Sequence, residues 1–404
     1  MKKEFITAEF SSAALNITAG KIDSFRKTEE SFGTVRVYKD GKIGVAGAIG
    51  RADEAALTEK AEKALSIGIP YESELDGPVT EEHHGVSELP EERDMIPVFG
   101  KLLSDIGGAC PNFCISNKII ISSNRAEYRN SNGRHLISSD RSLEVGLLFQ
   151  NRGSGNLMDA YYEYGGRTYD PEKIVSQCSM LYKAFCNPVP LPKEKIPVVI
   201  SAGAFFSSLL RNFSGESYAS GSSLVSGKLG ERLFSEKLTL KDDRNGETNP
   251  GACFFDDEGQ IADDFRAPLI ENGRLVGVTV SKNTAARFNV PVSRTSVSSY
   301  DGVPAAGLSG LYVAPTAKEL CDIVPGRAIY VSMASGGDTT PDGHFATPVQ
   351  LAYLLEGGIP VGKLPELNIS GDFFSMLGSD FLGSVRGSID GFSDLCVINM
   401  EVTE

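Results

Sequence analysis

The sequence predicts an α+β protein of two domains, each mixing antiparallel β-sheet with a few helices. Three observations carry that expectation. A chain of 404 residues is long for one hydrophobic core. Apolar and polar residues alternate over many short runs, the period of half-buried strands, and only a few segments show a helical stripe. Near the middle, Pro188, Pro190 and Pro192 followed by Lys193-Glu194-Lys195 form a stiff polar segment, the composition of a linker. The expected domains are therefore residues 1–187 and 196–404, joined through 188–195.

Residues 4–50 read as strands. Phe5, Thr7 and Glu9, then Val35 and Val37, then Ile43 and Val45 mark them. Asp40-Gly41 supplies the tight turn between the last two runs. Asp53 is placed to cap a helix reaching Ile67, with Leu57, Ala61, Ala64 and Leu65 as its apolar stripe and Gly68 and Pro70 as its stop. Tyr71–Asp94 has no periodicity and holds nine acids against one arginine. So long a segment without a period reads as a loop that moves or covers a partner. A helix at Met95–Ile106 and strands at Lys118–Ser122, Glu127–Asn130, Arg134–Ser138 and Glu144–Gln150 follow, with Asn132-Gly133 as a turn. Asp170-Pro171 opens a second strong helix, and Asn187-Pro188 ends it. Beyond the linker come a buried strand at Ile196–Ser201 and a helix at Gly203–Phe213 with Phe205, Leu209 and Phe213 on one face. Asn272-Gly273 is a strong hairpin signal, and Thr316 with Glu319 reads as a capping box for a helix at Ala317–Val324.

Composition excludes several classes. The net charge of −14 repels phosphate backbones. The densest basic segment, Arg125 to Arg141, is interleaved with Glu127 and Asp140, so no nucleic-acid partner is expected. No apolar run is long enough to span a bilayer, and no secretory apolar region follows Met1-Lys2-Lys3. A cytoplasmic location and no membrane partner are the expectation. The seven cysteines are scattered. Cys110 and Cys114 have CxxxC rather than CxxC spacing, and Cys178, Cys186, Cys253, Cys321 and Cys396 read as reduced core residues.

Motifs with chemistry are few. Gly357 to Gly362-Lys363 begins like a phosphate-binding loop, but Leu364 stands where a hydroxyl must reach magnesium, so a hairpin turn is the better reading. Asp242-Asp243 and Asp256-Asp257-Glu258 are possible carboxylate dyads, and Asp257-Glu258-Gly259 also has turn composition. His83-His84, His135 and His344 make no pair at helical spacing, which leaves a hydrolytic zinc site little to work with.

Six phrases in order carry a family resemblance. They are Gly221-Ser-Ser with Gly227-Lys-Leu-Gly-Glu231, Leu238-Thr-Leu-Lys-Asp-Asp243, Phe255-Asp-Asp-Glu-Gly259, Ile270-Glu-Asn-Gly-Arg-Leu275, Ala285-Ala-Arg287 and Glu366-Leu-Asn-Ile-Ser-Gly371. Together they resemble the TldD/PmbA family, also called the modulator-of-DNA-gyrase or U62-type peptidase family. The resemblance implies a two-domain fold and a dimer. It also implies, for TldD-like subunits, a zinc ion held by the two histidines of His-Glu-x-x-x-His and a distant cysteine, with the glutamate activating water. In this chain the motif's place is taken by Leu209-Leu-Arg-Asn-Phe-Ser-Gly-Glu216. Position by position, Arg211 stands for the first histidine, Asn212 for the glutamate, Glu216 for the second histidine and Asp390 for the cysteine. A guanidinium cannot ligate zinc and an amide cannot act as general base.

The pattern resembles the PmbA (TldE-like) subunit. The chain is thus expected to carry no metal or catalytic residue of its own, and to be inactive alone. It would pair with a TldD-like zinc subunit as a heterodimer, or with itself as a homodimer, in an assembly that cleaves small or unfolded peptides. Two other readings stand beside this one. The first is an independent hydrolase using Glu216, Asp390 and Asp256–Glu258. The second is a binding or regulatory module linked to DNA gyrase.

Overall fold

The structure is a computed structural model that describes every residue except 388 and 390–393. The N-terminal half is one eight-stranded sheet. Its strands are β1 (Lys2–Thr18), β2 (Lys21–Lys39), β3 (Lys42–Ile49), β4 (Ile69–Pro70), β5 (Thr80–His84), β6 (Phe113–Asn130), β7 (His135–Asn151) and β8 (Ala160–Gly166), in the order β4-β3-β2-β1-β6-β7-β5, with β8 also on β7. All pairs are antiparallel except β5 on β7. Three helices accompany the sheet: α1 (Glu54–Ala64), α2 (Met95–Ala109) and α3 (Pro171–Phe185).

In the C-terminal half, β9 (Val198–Ser201) leads into α4 (Ala202–Ser207), a 3₁₀ turn (Leu210–Phe213) and α5 (Gly215–Ala219). A four-stranded sheet comprises β10 (Leu240–Asp243), β11 (Arg266–Glu271), β12 (Arg274–Leu275) and β15 (Leu311–Val313). Between its strands lie α6 (Lys282–Phe288) and the pair β13 (Ser296–Val297) and β14 (Ala305–Ala306). After α7 (Leu320–Ile323) comes the large sheet, built on β9 from β16 (Arg327–Ala334), β17 (Asp338–Thr339), β18 (His344–Glu356), β19 (Ile359–Lys363), β20 (Leu367–Asp372), β21 (Phe381–Val385), β22 (Leu395–Ile398) and β23 (Glu401–Thr403). α8 (Phe373–Leu377) bridges β20 and β21. The fold class is the α+β mixture that the sequence predicts. Among the described residues, no helix is long and apolar enough to cross a membrane.

The central strands of the large sheet are apolar on both faces because both faces are covered. Ala328 and Tyr330 of β16, Val199 of β9 and Leu395 and Val397 of β22 join α2, α3 and the N-terminal sheet in one core. Their neighbours Ile329, Val331, Val198, Ile200, Cys396 and Ile398 point the other way, into a second core with α4 and α8. This period-two division uses every residue of a run that sequence alone reads only as a buried strand.

Turn and cap chemistry place the elements where the sequence puts them. Asp40 and Gly41 both take positive φ, 52° and 69°, as a two-residue hairpin turn requires. Asp53 caps α1 through the amides of Ala55 and Ala56 at 3.0 and 3.1 Å. Four readings need correction. Lys118–Ser122 and Glu127–Asn130 are parts of one strand, β6, and the next two runs are parts of β7. The polar stretch between them lacks a period because those residues are only half-buried, yet β1 and β7 hold it extended from both sides. Tyr71–Asp94 is not a free loop. Tyr71 and Leu75 pack on Tyr38 and Ile43, and Thr80–His84 pairs in parallel with β7. The predicted capping box forms instead between Glu319 and Asp322, because the Thr316 hydroxyl is bound to Ser384. Cys178 and Cys396 are buried as expected, whereas Cys186 and Cys321 are exposed. Cys186 is the residue that ends α3, and a helix end faces outward more than its stripe does.

A buried polar network joins the two halves. Arg36 of β2 and Glu4 of β1 are register partners, each 1% exposed, with Nη1 to Oε2 at 3.4 Å. Tyr128 and Tyr38 donate to the same carboxylate at 2.6 and 2.8 Å. Across the interface, Arg36 donates to the Asp257 carbonyl and, at 2.6 Å, to the Ser298 hydroxyl. Removing one member of such a pair leaves the other charge buried without compensation. Arg36→Ala is expected to lower unfolding free energy by about 3–5 kcal/mol in urea titrations, and Arg36→Met with Glu4→Gln to recover a large part of that loss.

Candidate functional site

The segment that the resemblance aligns with the metal motif begins where β9 ends. The Ser201 hydroxyl caps α4 through the Ala204 amide at 3.5 Å. Phe205, Phe206, Leu209 and Phe213 then sink into the second core, with the Phe205 and Phe345 rings edge to face at 5.8 Å. The single helix expected over Gly203–Phe213 is not formed. The Ser207 and Ser208 hydroxyls turn back onto the carbonyls of Ala204 and Phe205 at 2.8 and 2.7 Å, and such bonds compete with the α-helical ladder. The chain tightens into i→i+3 bonds, Leu209 to Phe206 at 2.8 Å and Asn212 to Leu209 at 3.0 Å. At Ser214 it becomes extended, with φ −71° and ψ 130°.

That break separates the substituted positions. Arg211 is exposed on the 3₁₀ turn. Asn212 is buried; its Oδ1 accepts the Leu224 amide at 3.1 Å and its carbonyl accepts the Ser223 hydroxyl at 2.6 Å. Glu216 is exposed in the first turn of α5. Gly215 is required by close approach: its amide donates to the Thr279 carbonyl at 2.8 Å, and a Cβ there would overlap the Val280 side chain. Asp390 lies outside the described residues. These residues do not fit a zinc ion. One is a cation, one is an amide already committed to a loop, and the carboxylate of Glu216 lies on a separate helical turn. Among the described residues, no group of three His, Cys, Asp or Glu side chains could hold a metal.

Of the carboxylates in the alternative hydrolase reading, Asp256 and Glu258 are committed, and so is Asp242. Asp256 accepts the amides of Glu258 and Gln260, both at 2.9 Å, and of Ser296 at 3.1 Å. Asp242 accepts Arg244 Nε at 3.0 Å and the Ser309 amide at 2.6 Å. Glu258 accepts the Lys282 amide at 2.9 Å and the Tyr71 hydroxyl. These groups anchor turns and are closed to a substrate. The turn reading of Asp257-Glu258-Gly259 is the correct one, with Gly259 at φ 70° and its amide on the Asp256 carbonyl at 2.9 Å.

Sequence reading missed an open groove of about 1380 Å³ beside this segment. One wall is α4, through Ala204, Ser207 and Ser208; another is the end of β16, Ser332–Gly337; Leu148 and Tyr161 of the N-terminal sheet close it. β16 pairs with β9 only from Ile329 to Val331, because β9 turns into α4 after Ser201. β16 continues beyond that point with β18 alone, through Met333 and Ala334. The edge it turns away from β18 there is the kind that accepts an added strand. Nothing in the local sequence marks it, since it arises from where a neighbouring strand stops.

With this geometry, known proteins provide the context. Residues 193–382 match the family model of the PmbA/TldA metallopeptidase C-terminal domain. The whole chain has the fold of TldE from Thermococcus kodakarensis, with TM-score 0.79 at 19% identity, covering 100% of this chain and 97% of that one. A candidate modulator of a DNA gyrase from Thermotoga maritima superposes with TM-score 0.77 at 16% identity, covering 100% and 96%. In sequence, the chain is 28% identical over 196 residues to a metalloprotease of Methanocaldococcus jannaschii, covering 46% of this chain and 43% of that protein. It is 28% identical over 178 residues to the metalloprotease TldD homolog of Haemophilus influenzae, covering 42% and 36%. The match thus spans less than half the length of these metalloproteases. Fold and sequence show similarity to metallopeptidase-family proteins over the C-terminal half and to the TldE fold over the whole chain. Its C-terminal half is similar to the TldD/PmbA family, and the whole chain shares the fold of the TldE and gyrase-modulator structures.

Two outcomes test this geometry. Asn212→Ala removes the acceptor of the Leu224 amide, and a loss of about 1–2 kcal/mol in unfolding free energy is expected. Burial and the neighbouring Asp256 carboxylate push Glu258 up to about 7. The fold therefore binds a proton that the unfolded chain releases near pH 4.3. The stability that Glu258 contributes is complete below about pH 4.3 and is lost as pH rises through about 7. Glu258→Gln is expected to show a smaller fall in urea-unfolding free energy between pH 5 and 8 than the wild type, by about 1–3 kcal/mol.

Proposed function

We propose that this chain is the non-catalytic, PmbA/TldE-like subunit of a TldD-type zinc peptidase acting on small or unfolded peptides in the cytoplasm. One observation carries the reading. The three described positions of the metal motif are a solvent-exposed guanidinium, an amide bound to a loop and an exposed carboxylate on a separate turn. Hydrolysis of an amide at neutral pH by the family's route needs a Lewis acid to polarise the carbonyl and activate water. That group would be supplied by a TldD-like partner, and this chain would complete the dimer and help hold the peptide. The groove beside α4 and the open edge of β16 support the second role, because an extended peptide satisfies its own backbone by pairing with such an edge. The commitment of Asp256 and Glu258 argues against an independent hydrolase built on them. The acidic charge argues against direct contact with DNA.

The test uses the purified full chain, with metal analysis and a peptide-cleavage assay run with and without a TldD-like subunit. The expected result is no stoichiometric zinc and no cleavage by the chain alone, with cleavage when the partner is added. Stoichiometric zinc, or chelator-sensitive cleavage by the chain alone, would sink the proposal.

A further inference from the structure

We propose that Leu157 and Met158, at the tip of the β7–β8 hairpin, determine specificity in the groove beside α4: they select extended peptides that carry a large apolar side chain. The inference rests on the groove taking a peptide and adds the class of side chain that it prefers.

The hairpin tip is held by polar contacts alone. The Asp159 carboxylate accepts the Asn151 amide at 2.8 Å, the Ser154 hydroxyl at 2.9 Å and the Asn156 side-chain amide at 3.1 Å. The Gln150 side-chain amide donates to the Asn156 carbonyl at 2.6 Å, and the Asp159 amide donates to the Phe149 carbonyl at 2.8 Å. Gly153, Ser154, Gly155 and Asn156 have the composition of a tight connection. Leu157 does not, and none of these contacts uses its side chain. It is 93% exposed, the most of any large apolar residue among the described residues.

A single exposed leucine is ordinary on a protein surface. This one is not single. Met158 beside it is 37% exposed, and both line the groove together with Leu148 of β7 and Met333 of β16. The hairpin wall of the groove is therefore apolar, and a further apolar side chain lies at the β16 edge. Unbranched methionine side chains adapt to apolar partners of different shape.

Charge narrows the occupant. The charged side chains lining the groove, among the described residues, are Asp159, Lys363 and Glu366. Asp159 is committed to the hairpin, and the Lys363 ammonium lies over the Phe185 ring at 4.2 Å. Glu366 is exposed and has no ion pair among the described residues. With that carboxylate open and a net charge of −14 on the chain, an acidic side chain is repelled. Backbone pairing at the β16 edge is the same for every sequence, so selection falls to the side chains. Covering Leu157 and Met158 with an apolar side chain removes both surfaces from water.

The test is fluorescence anisotropy of the full chain with three labelled decapeptides of Ala, Ser and Gly, blocked at both ends. They differ at one central position, which is Leu, Ser or Asp. The wild type is expected to bind the leucine peptide about tenfold more tightly than the serine peptide, and the aspartate peptide most weakly. Leu157→Ser is expected to cut the preference for leucine to about threefold, and Leu157→Ser with Met158→Ser to abolish it while leaving the serine peptide's affinity unchanged. Leu157→Ser is expected to unfold in urea as the wild type does, because the side chain is exposed. Equal binding of the leucine and serine peptides by the wild type overturns the selection and leaves the groove reading standing. A preference that survives in the double variant overturns the assignment to Leu157 and Met158. An aspartate peptide that binds as tightly as the serine peptide overturns the exclusion of acidic side chains. Binding of none of the peptides overturns the groove reading and the selection together.

Discussion

The buried pairing of Arg36 with Glu4, extended to Asp257 and Ser298, is the constraint on which the relation of the two halves depends. A charge in the interior must be matched by geometry that satisfies every remaining donor and acceptor. Arg36 meets that demand at both terminal nitrogens with groups from both halves, the carboxylate of β1 on one side and a carbonyl and a hydroxyl from the 257–298 region on the other, and leaves its Nε without a partner among the described residues. Tyr38 and Tyr128 fill the remaining acceptor sites of Glu4. Burial and the neighbouring Glu4 carboxylate push both phenols well above their ordinary range, so they stay protonated and remain donors. Hydrophobic burial alone would tolerate a sliding interface. A network with one satisfying arrangement does not.

The second organising feature is that the large sheet is covered on both faces. α2 and α3 share a core with one face and with the N-terminal sheet, and α4 and α8 cover the other. This has a functional consequence. Because β9 must turn into α4 to cover the sheet, it leaves β16 without a neighbour for its last residues. The groove forms at that point. The open edge and the Leu209–Glu216 segment are neighbours because both follow from the end of one strand.

Much of this was legible in the residues. The turns at Asp40-Gly41 and Asn272-Gly273, the caps at Asp53 and Asp170, and the stripes of α2 and α3 depend on interactions within a few positions, so sequence suffices to place them. Readings failed where the deciding partner is distant. Thr80–His84 has no strand period because its strand is largely exposed, and only pairing with β7 makes it one. The helix over Gly203–Phe213 looked continuous by its apolar spacing. Two serine hydroxyls folding back on the backbone broke it, and apolar spacing does not register them.

By itself the sequence determined the α+β class, the resemblance to the TldD/PmbA family, and the residue types at the positions aligned with the metal motif. Those depend on residue identity: a guanidinium and an amide cannot become ligand and base in any fold. Tertiary structure alone decided that Asn212 is a loop anchor, that Asp256 and Glu258 are closed to substrate, and that a groove opens where β9 leaves β16. Each of these turns on which distant backbone groups reach a side chain and on where a neighbouring strand stops, and neither is encoded at the residue concerned.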